Sequence, residues 1–219
     1  HNLREVTDAV CMQIDDPDVT LDKLMKAVPA PDFPTGGILL DTPEIRAAYE
    51  TGRGKLTLRA RVSVEPGSAG RTLLCVSEVP YGVSKAQMLE KILKLSEEKK
   101  AQLGCIYDIR DESDRTGLRA VIELRKEADP QKVLAFLYKY SDLQVTFGVN
   151  LVAVCEGKPM QMGLKTVIGH FIRHQKEVLT RRTKYELDQA KARAHILEGL
   201  IRAVDCLDEI IRLIRASKN

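Results

Sequence analysis

Tryptophan is absent from this 219-residue chain, and all aromatic residues together make up only 5% of it. No apolar run approaches the roughly 18 to 20 residues that cross a bilayer, so the sequence predicts no membrane span. There is no initiating methionine, no basic leader and no apolar stretch behind one, and His1 reads as the first residue of a segment cut from a longer protein. Cysteine is sparse: the five (Cys11, Cys75, Cys105, Cys155, Cys206) are odd in number, widely spaced and never in a C-x-x-C pair. Their apolar neighbours mark them as small buried hydrophobes of a reducing compartment. With 44% hydrophobic and 30% charged residues, disorder and low complexity are excluded, and the length can bury a sizeable core in one or two domains.

Charge is nearly balanced at +3, yet it is unevenly placed. Between Thr166 and Tyr185 stand Arg173, Lys176, Arg181, Arg182 and Lys184 against the single acid Glu177. From Thr166 onward no proline appears, and Leu187, Ala190, Ala194, Leu197, Ile201 and Val204 keep steps of three and four. Leu207, Ile211 and Ile214 resume that spacing after one shifted step, which predicts a long helix broken once, with a coiled-coil-like seam whose partner lies beyond Asn219 or on another chain.

Earlier in the chain, Leu3, Val6, Val10 and Ile14 predict an amphipathic helix, and Leu21, Leu24, Met25 and Val28 a second short one. The Pro29 to Pro34 stretch is an extended loop, because each proline fixes its own φ and restricts the residue before it. A helical patch near Glu44 to Tyr49 leads to Thr51-Gly-Arg-Gly-Lys55. Lys55 to Val64 then alternates without a fault, with Leu56, Leu58, Ala60, Val62 and Val64 on one side, and predicts a single strand. The pattern continues with a turn at 66 to 70, a returning strand over 71 to 79, and a helix from Lys85 to about Lys100. That helix is capped by Ser84 and buries Leu89, Ile92, Leu93 and Leu95. Strands over 105 to 110 and 118 to 125 flank a polar turn, Asp129-Pro130 opens a helix through Tyr140, and 144 to 155 reads as a last strand. The order β-β-α-β-β-α-β defines an α+β fold, mixed α/β with antiparallel strands, followed by the long helix.

Few residues invite chemistry. Thr51-Gly-Arg-Gly-Lys55 lacks the Ser or Thr and the earlier glycine of a phosphate loop and reads as a tight turn into a strand, where Arg53 and Lys55 could still touch a phosphate backbone. His170 and His174 stand four apart, but Phe171 occupies the place of a zinc-protease glutamate and no third ligand follows. His195 reads as a helix-surface contact. The acidic turn Asp111-Glu-Ser-Asp114 lacks calcium-loop spacing, and Arg110 and Arg115 flank it as ion partners.

Several stretches taken together carry a resemblance: His1-Asn-Leu3, Pro31-Asp-Phe-Pro-Thr-Gly-Gly37, Tyr49-Glu-Thr-Gly-Arg-Gly54, Val79-Pro-Tyr81, Arg110-Asp-Glu-Ser-Asp-Arg115, Gln144-Val-Thr-Phe-Gly-Val-Asn150, Glu177 to Thr183 and Arg193 to Gly199. In this order, over essentially all 219 residues, the chain resembles the A subunits of bacterial DNA gyrase, with those of topoisomerase IV sharing most of the pattern. The Thr146 to Asn150 stretch is the more gyrase-like.

The resemblance implies a type IIA topoisomerase, an ATP-dependent isomerase in which two A and two B subunits cut both strands of one duplex and pass another through. Gyrase introduces negative supercoils, and topoisomerase IV decatenates. The family's nucleophilic tyrosine follows an arginine in an upstream winged-helix domain, and none of the six tyrosines here follows Arg. The resemblance therefore implies no catalytic residue, no metal site and no bound cofactor in this segment, with Mg²⁺ and ATP held by the partner B subunit; by itself, the segment would not cleave DNA. It divides the chain into a helical lead-in (1–24), a tower domain (25–165), and a long basic helix that starts a coiled coil (166–219).

The tower's role in the family is to support bent duplex through phosphate contacts, which offset several kcal/mol of bending. By resemblance Arg53, Lys55 and Lys85 lie near DNA, and Arg181 and Arg182 either do so or hold the tower against the coiled coil. The sequence departs from the family at Gly82 and Ser84. Implied partners are duplex DNA, the gyrase B subunit, and a second copy of the parent chain in a homodimer, in the cytoplasm at the nucleoid and away from membranes. From the residues alone, a non-enzymatic nucleic-acid-binding domain and an oligomerisation scaffold both stay open.

Overall fold

The computed structural model describes residues 1–217, so the last two residues of the 166–219 segment lie outside it. In chain order it contains α1 (Leu3–Asp15), α2 (Leu21–Ala27), β1 (Ile38–Leu39), α3 (Pro43–Thr51), β2 (Arg53–Arg59), β3 (Arg61–Pro66), a 3-10 turn (Ser68–Gly70) and β4 (Thr72–Glu78). Then follow α4 (Lys85–Glu98), α5 (Lys100–Leu103), β5 (Ile106–Asp111), β6 (Ala120–Leu124), α6 (Pro130–Tyr140), β7 (Gln144–Asn150), β8 (Val152–Cys155), β9 (Lys158–Gln161), α7 (Leu164–Asp205) and α8 (Leu207–Ala216). The chain forms two compact units, His1–Ile168 and Gly169–Asn219, and the lead-in over 1–24 lies within the first.

The α+β class and the antiparallel pairing are as expected, but two predicted strands are each two. The alternation from Lys55 to Val64 breaks at Ala60, so that β2 joins a three-stranded sheet of order β1-β2-β7 and β3 joins a four-stranded sheet of order β3-β4-β6-β5. Ala60 is fully buried and its N–H donates to the carbonyl of Leu143 at 2.7 Å. The side-chain phase passes through this residue intact, and the sequence pattern therefore gives no sign of the break. Beyond it, Val64 is 44% exposed. The stretch 144 to 155 likewise divides at Leu151. The N–H of Leu151 donates to the Gly52 carbonyl at 2.8 Å, and its own carbonyl accepts from the Met162 N–H at 3.0 Å. After it, β8 pairs only with β9, a strand that the sequence did not announce.

The main core lies between the four-stranded sheet and the helices α4 and α6. It is built from Leu74 and Val76 of β4, Ile122 and Leu124 of β6, Met88 and Ile92 of α4, and Leu137 of α6. The expected apolar side of α4 is displaced: Met88 is buried, whereas Leu93 is 49% exposed. Ser84 makes no side-chain cap, while Asp129 caps α6 through the N–H groups of Gln131 and Lys132. Cys75 is buried as anticipated, but Cys11 and Cys206 are exposed, and none of the five is in a disulfide among the described residues. The long helix breaks once, at Cys206.

The opposite face of the four-stranded sheet carries a row of ion pairs. Arg119 joins Glu65 at 2.8 Å and Glu112 at 3.2 Å, Arg110 joins Glu112 at 2.9 Å and Glu123 at 2.6 Å, and Arg71 joins Glu123 at 2.9 Å. The hairpin acid Glu112 is thus served by Arg110 and Arg119 rather than by Arg115. Arg119 and then Ser63 hold the Glu65 carboxyl from 4.5 down to about 2. Lys85, followed by Ser113, holds Asp111 at about 2. Both values are depressed by folding, so the stabilisation is complete above the unfolded carboxylate range and is lost as pH falls through the folded values. The melting temperature should hold from pH 7 to about 5 and fall between about 4.5 and 2, and Glu65→Gln should flatten that fall in circular dichroism melts. An unchanged pH profile in this variant would show that the carboxylate does not carry the effect.

Candidate nucleic-acid interface

The Thr51-Gly-Arg-Gly-Lys55 motif is shaped by packing. Gly52 ends α3 in the left-handed conformation, φ 79°, a geometry that favours glycine. Gly54 lies so close to α3 that a Cβ there would sit 2.8 Å from both the Ala48 Cβ and the Glu44 carbonyl oxygen. Rather than forming a free turn, Arg53 to Lys55 are already paired into β2, with Arg53 opposite Asn150 and Lys55 opposite Gly148 of β7.

Side chains alternate across a strand, so Arg53, Lys55, Thr57 and Arg59 share the face turned away from α3. Their partners on β7 are Asn150, Gly148, Thr146 and Gln144. None of these eight residues is acidic, and three are cationic. Arg53 and Lys55 are exposed. Arg59 is partly held, with its guanidinium 4.6 Å above the Tyr138 ring and its Nε donating to Gln144. At the strand edge the Glu44 carboxylate accepts the Lys55 backbone N–H at 3.3 Å.

The inward residues of the same two strands meet the other motifs. Phe147 packs edge-on against Phe33 at 5.0 Å and Tyr81 at 5.9 Å, which joins the 31–37, 79–81 and 144–150 stretches at one point. Beside them lies a largely apolar cavity of about 200 Å³, bordered by Phe33, Ile45, Tyr49, Leu56, Phe147 and Val149. Burial pushes the Tyr49 hydroxyl well above its ordinary value, and its oxygen is 3.0 Å from His1 Nε2.

The other expected basic residues belong to other elements. Lys85, at the start of α4, contacts the β5–β6 hairpin: its Nζ is 2.6 Å from the Asp111 carboxylate and donates to Ser113 Oγ at 2.9 Å. Its side chain is 27% exposed and engaged by this hairpin, whereas Arg53 and Lys55 stand on β2. Arg181 and Arg182 belong to the second unit, on exposed turns of α7, where Arg182 pairs with Glu186 at 2.8 Å one turn on. Among the described residues no three His, Cys, Asp or Glu gather as a metal site, and no helix is long and apolar enough to cross a membrane.

Across residues 1–219 the chain matches the family model that describes the A subunit of DNA gyrase/topoisomerase IV. The chain belongs to this family. The DNA topoisomerase 4 A subunit of Staphylococcus epidermidis is 49% identical over the whole chain and 27% of its own length. The DNA gyrase A subunit of Granulibacter bethesdensis is 48% identical over 99% of the chain and 23% of its own length, and that of Clostridium acetobutylicum 47% identical over 100% and 26%. As a member of the gyrase/topoisomerase IV A-subunit family, the chain thus spans about a quarter of these relatives. Its identity to the two kinds is nearly equal, so overall identity does not sort it between them.

Sequence reasoning singled out Arg53 and Lys55; strand pairing brings Thr57, Arg59, Thr146, Gly148 and Asn150 onto the same face. The in-phase spacing of Thr146, Gly148 and Asn150 was a usable signal; their pairing with β2 was not.

Proposed function

We propose that this chain is the part of a type IIA topoisomerase A subunit that supports duplex DNA beside the site of cleavage. It acts through phosphate contacts, without reading bases. The acid-free face of β2 and β7, with Arg53 and Lys55 at its exposed end, carries this reading. Cations on such a face release counterions from DNA and hold it in place with little regard to sequence.

The cutting step, with its tyrosine, belongs to a part of the parent protein upstream of these residues. Mg²⁺ and ATP would act in a partner B subunit. The parent would work at the nucleoid as an assembly of two A and two B subunits. Relatives of both names match almost equally, so the reading covers the strand-passage step shared by gyrase and topoisomerase IV.

The test is duplex binding by fluorescence anisotropy over a salt series, with Arg53→Ala/Lys55→Ala against the unaltered chain. The double variant should bind more weakly, and its plot of log K against log salt should be shallower by about 2. Unchanged affinity and slope would defeat the reading and favour an oligomerisation scaffold.

A further inference from the structure

The glycines around this face divide sharply. A Cβ on Gly52, Gly54 or Gly163 would come within 2.6, 2.8 or 2.4 Å of neighbouring atoms, so packing demands that those positions be bare. Gly148 is the opposite case. It sits inside β7, its φ lies outside the left-handed range, and a Cβ there would meet nothing within 4 Å. A glycine within a strand weakens it and commonly marks a place where another backbone comes close. Neither the backbone nor the packing of this unit asks for one at position 148.

Its surroundings indicate what comes close. Gly148 lies opposite Lys55 in the β2–β7 register, with Thr146 and Asn150 two residues away on the same exposed face. The Thr hydroxyl and the Asn amide are neutral donors of the kind that bind phosphate oxygens. The face thus pairs a row of cations on β2 with a row on β7 made of donor, bare backbone and donor.

Building on the DNA-support reading above, we propose that Gly148 is the point of closest approach of the sugar-phosphate backbone, and that Thr146 and Asn150 donate hydrogen bonds to its phosphates on either side. A β-branched side chain at 148 would lift the duplex off Lys55 and off both donors while suiting the strand itself.

The experiment compares Gly148→Val, Gly148→Ala and Thr146→Ala/Asn150→Ala with Arg53→Ala/Lys55→Ala in the 219-residue chain. Duplex anisotropy titrations over a salt series are set beside thermal melts. Gly148→Val should keep or raise the melting temperature and still weaken binding about fivefold, a loss of contact that area and charge alone would not give. Thr146→Ala/Asn150→Ala should weaken binding by a similar factor and leave the salt slope unchanged, because neither residue carries charge. If Gly148→Val binds as tightly as the unaltered chain while Arg53→Ala/Lys55→Ala does not, the close-approach proposal fails and the DNA-support reading stands. If none of the variants changes binding, the reading itself fails. Lower melting temperatures for both Gly148→Val and Gly148→Ala would also overturn the proposal, since the glycine would then serve the fold.

Discussion

A Gly163→Ala variant is expected to lose about 3 kcal/mol of stability, and its melting temperature to fall by about 6 to 12 °C for a chain of this length. The added Cβ would lie 2.4 Å from the Glu50 carbonyl oxygen and 2.5 Å from that of Tyr49. These are backbone atoms at the end of α3, fixed by the bond from the Gly52 N–H to the Ala48 carbonyl, and no rotamer change can relieve the overlap. The fit is reciprocal, because a Cβ on Gly52 would lie 2.6 Å from the Met162 carbonyl oxygen. Gly199→Ala is the natural comparison. That position in α7 has open space around it, and the same substitution there should stabilise the helix by about 1 kcal/mol. Calorimetric melts of the two variants should therefore move in opposite directions. A Gly163→Ala melt within a degree or two of the unaltered chain would mean that the α3 terminus yields.

Leu56→Ala should be of similar or greater consequence, at about 3 to 4 kcal/mol. Leu56 is fully buried, stands opposite Phe147 in the β2–β7 register, and already borders the cavity of about 200 Å³. Truncation would enlarge an existing void walled also by Phe33, Tyr49 and Phe147 and by Ile45 and Val149, whose packed positions leave little freedom to collapse inward. Urea denaturation should show a lower midpoint at an unchanged slope. A loss below about 1 kcal/mol would show that the Phe33–Tyr81–Phe147 cluster closes over the gap.

The helices were the legible part of this fold, because α1, α4, α6 and α7 each combine helical spacing of apolar residues with a visible start or stop. The strands were legible as strands but not as members of sheets. Ala60 interrupts pairing without interrupting alternation, and at Leu151 the alternation gives way to an apolar run that does not show which strand takes over. The same limit applied to the interface. Arg53 and Lys55 could be picked out from local sequence and family resemblance, but the β7 half of their face exists only through pairing. The surroundings of Lys85 were illegible for a related reason: Asp111, which pairs with it, lies on a hairpin that local sequence does not bring to the start of α4.

The break at Ala60 also sets how load would pass through this unit. A pull on the Arg53–Arg59 strand reaches the four-stranded sheet directly through covalent backbone, while α6 and the turn at Ser141–Leu143 form a second tie back to β7. The two ties are fastened together by the Ala60–Leu143 hydrogen bond. Such a joint resists stretching along either strand, since covalent bonds would have to lengthen. It yields most easily to twisting about the line from Ala60 to Leu143, and torsion there would turn the three-stranded sheet without disturbing the registers on either side.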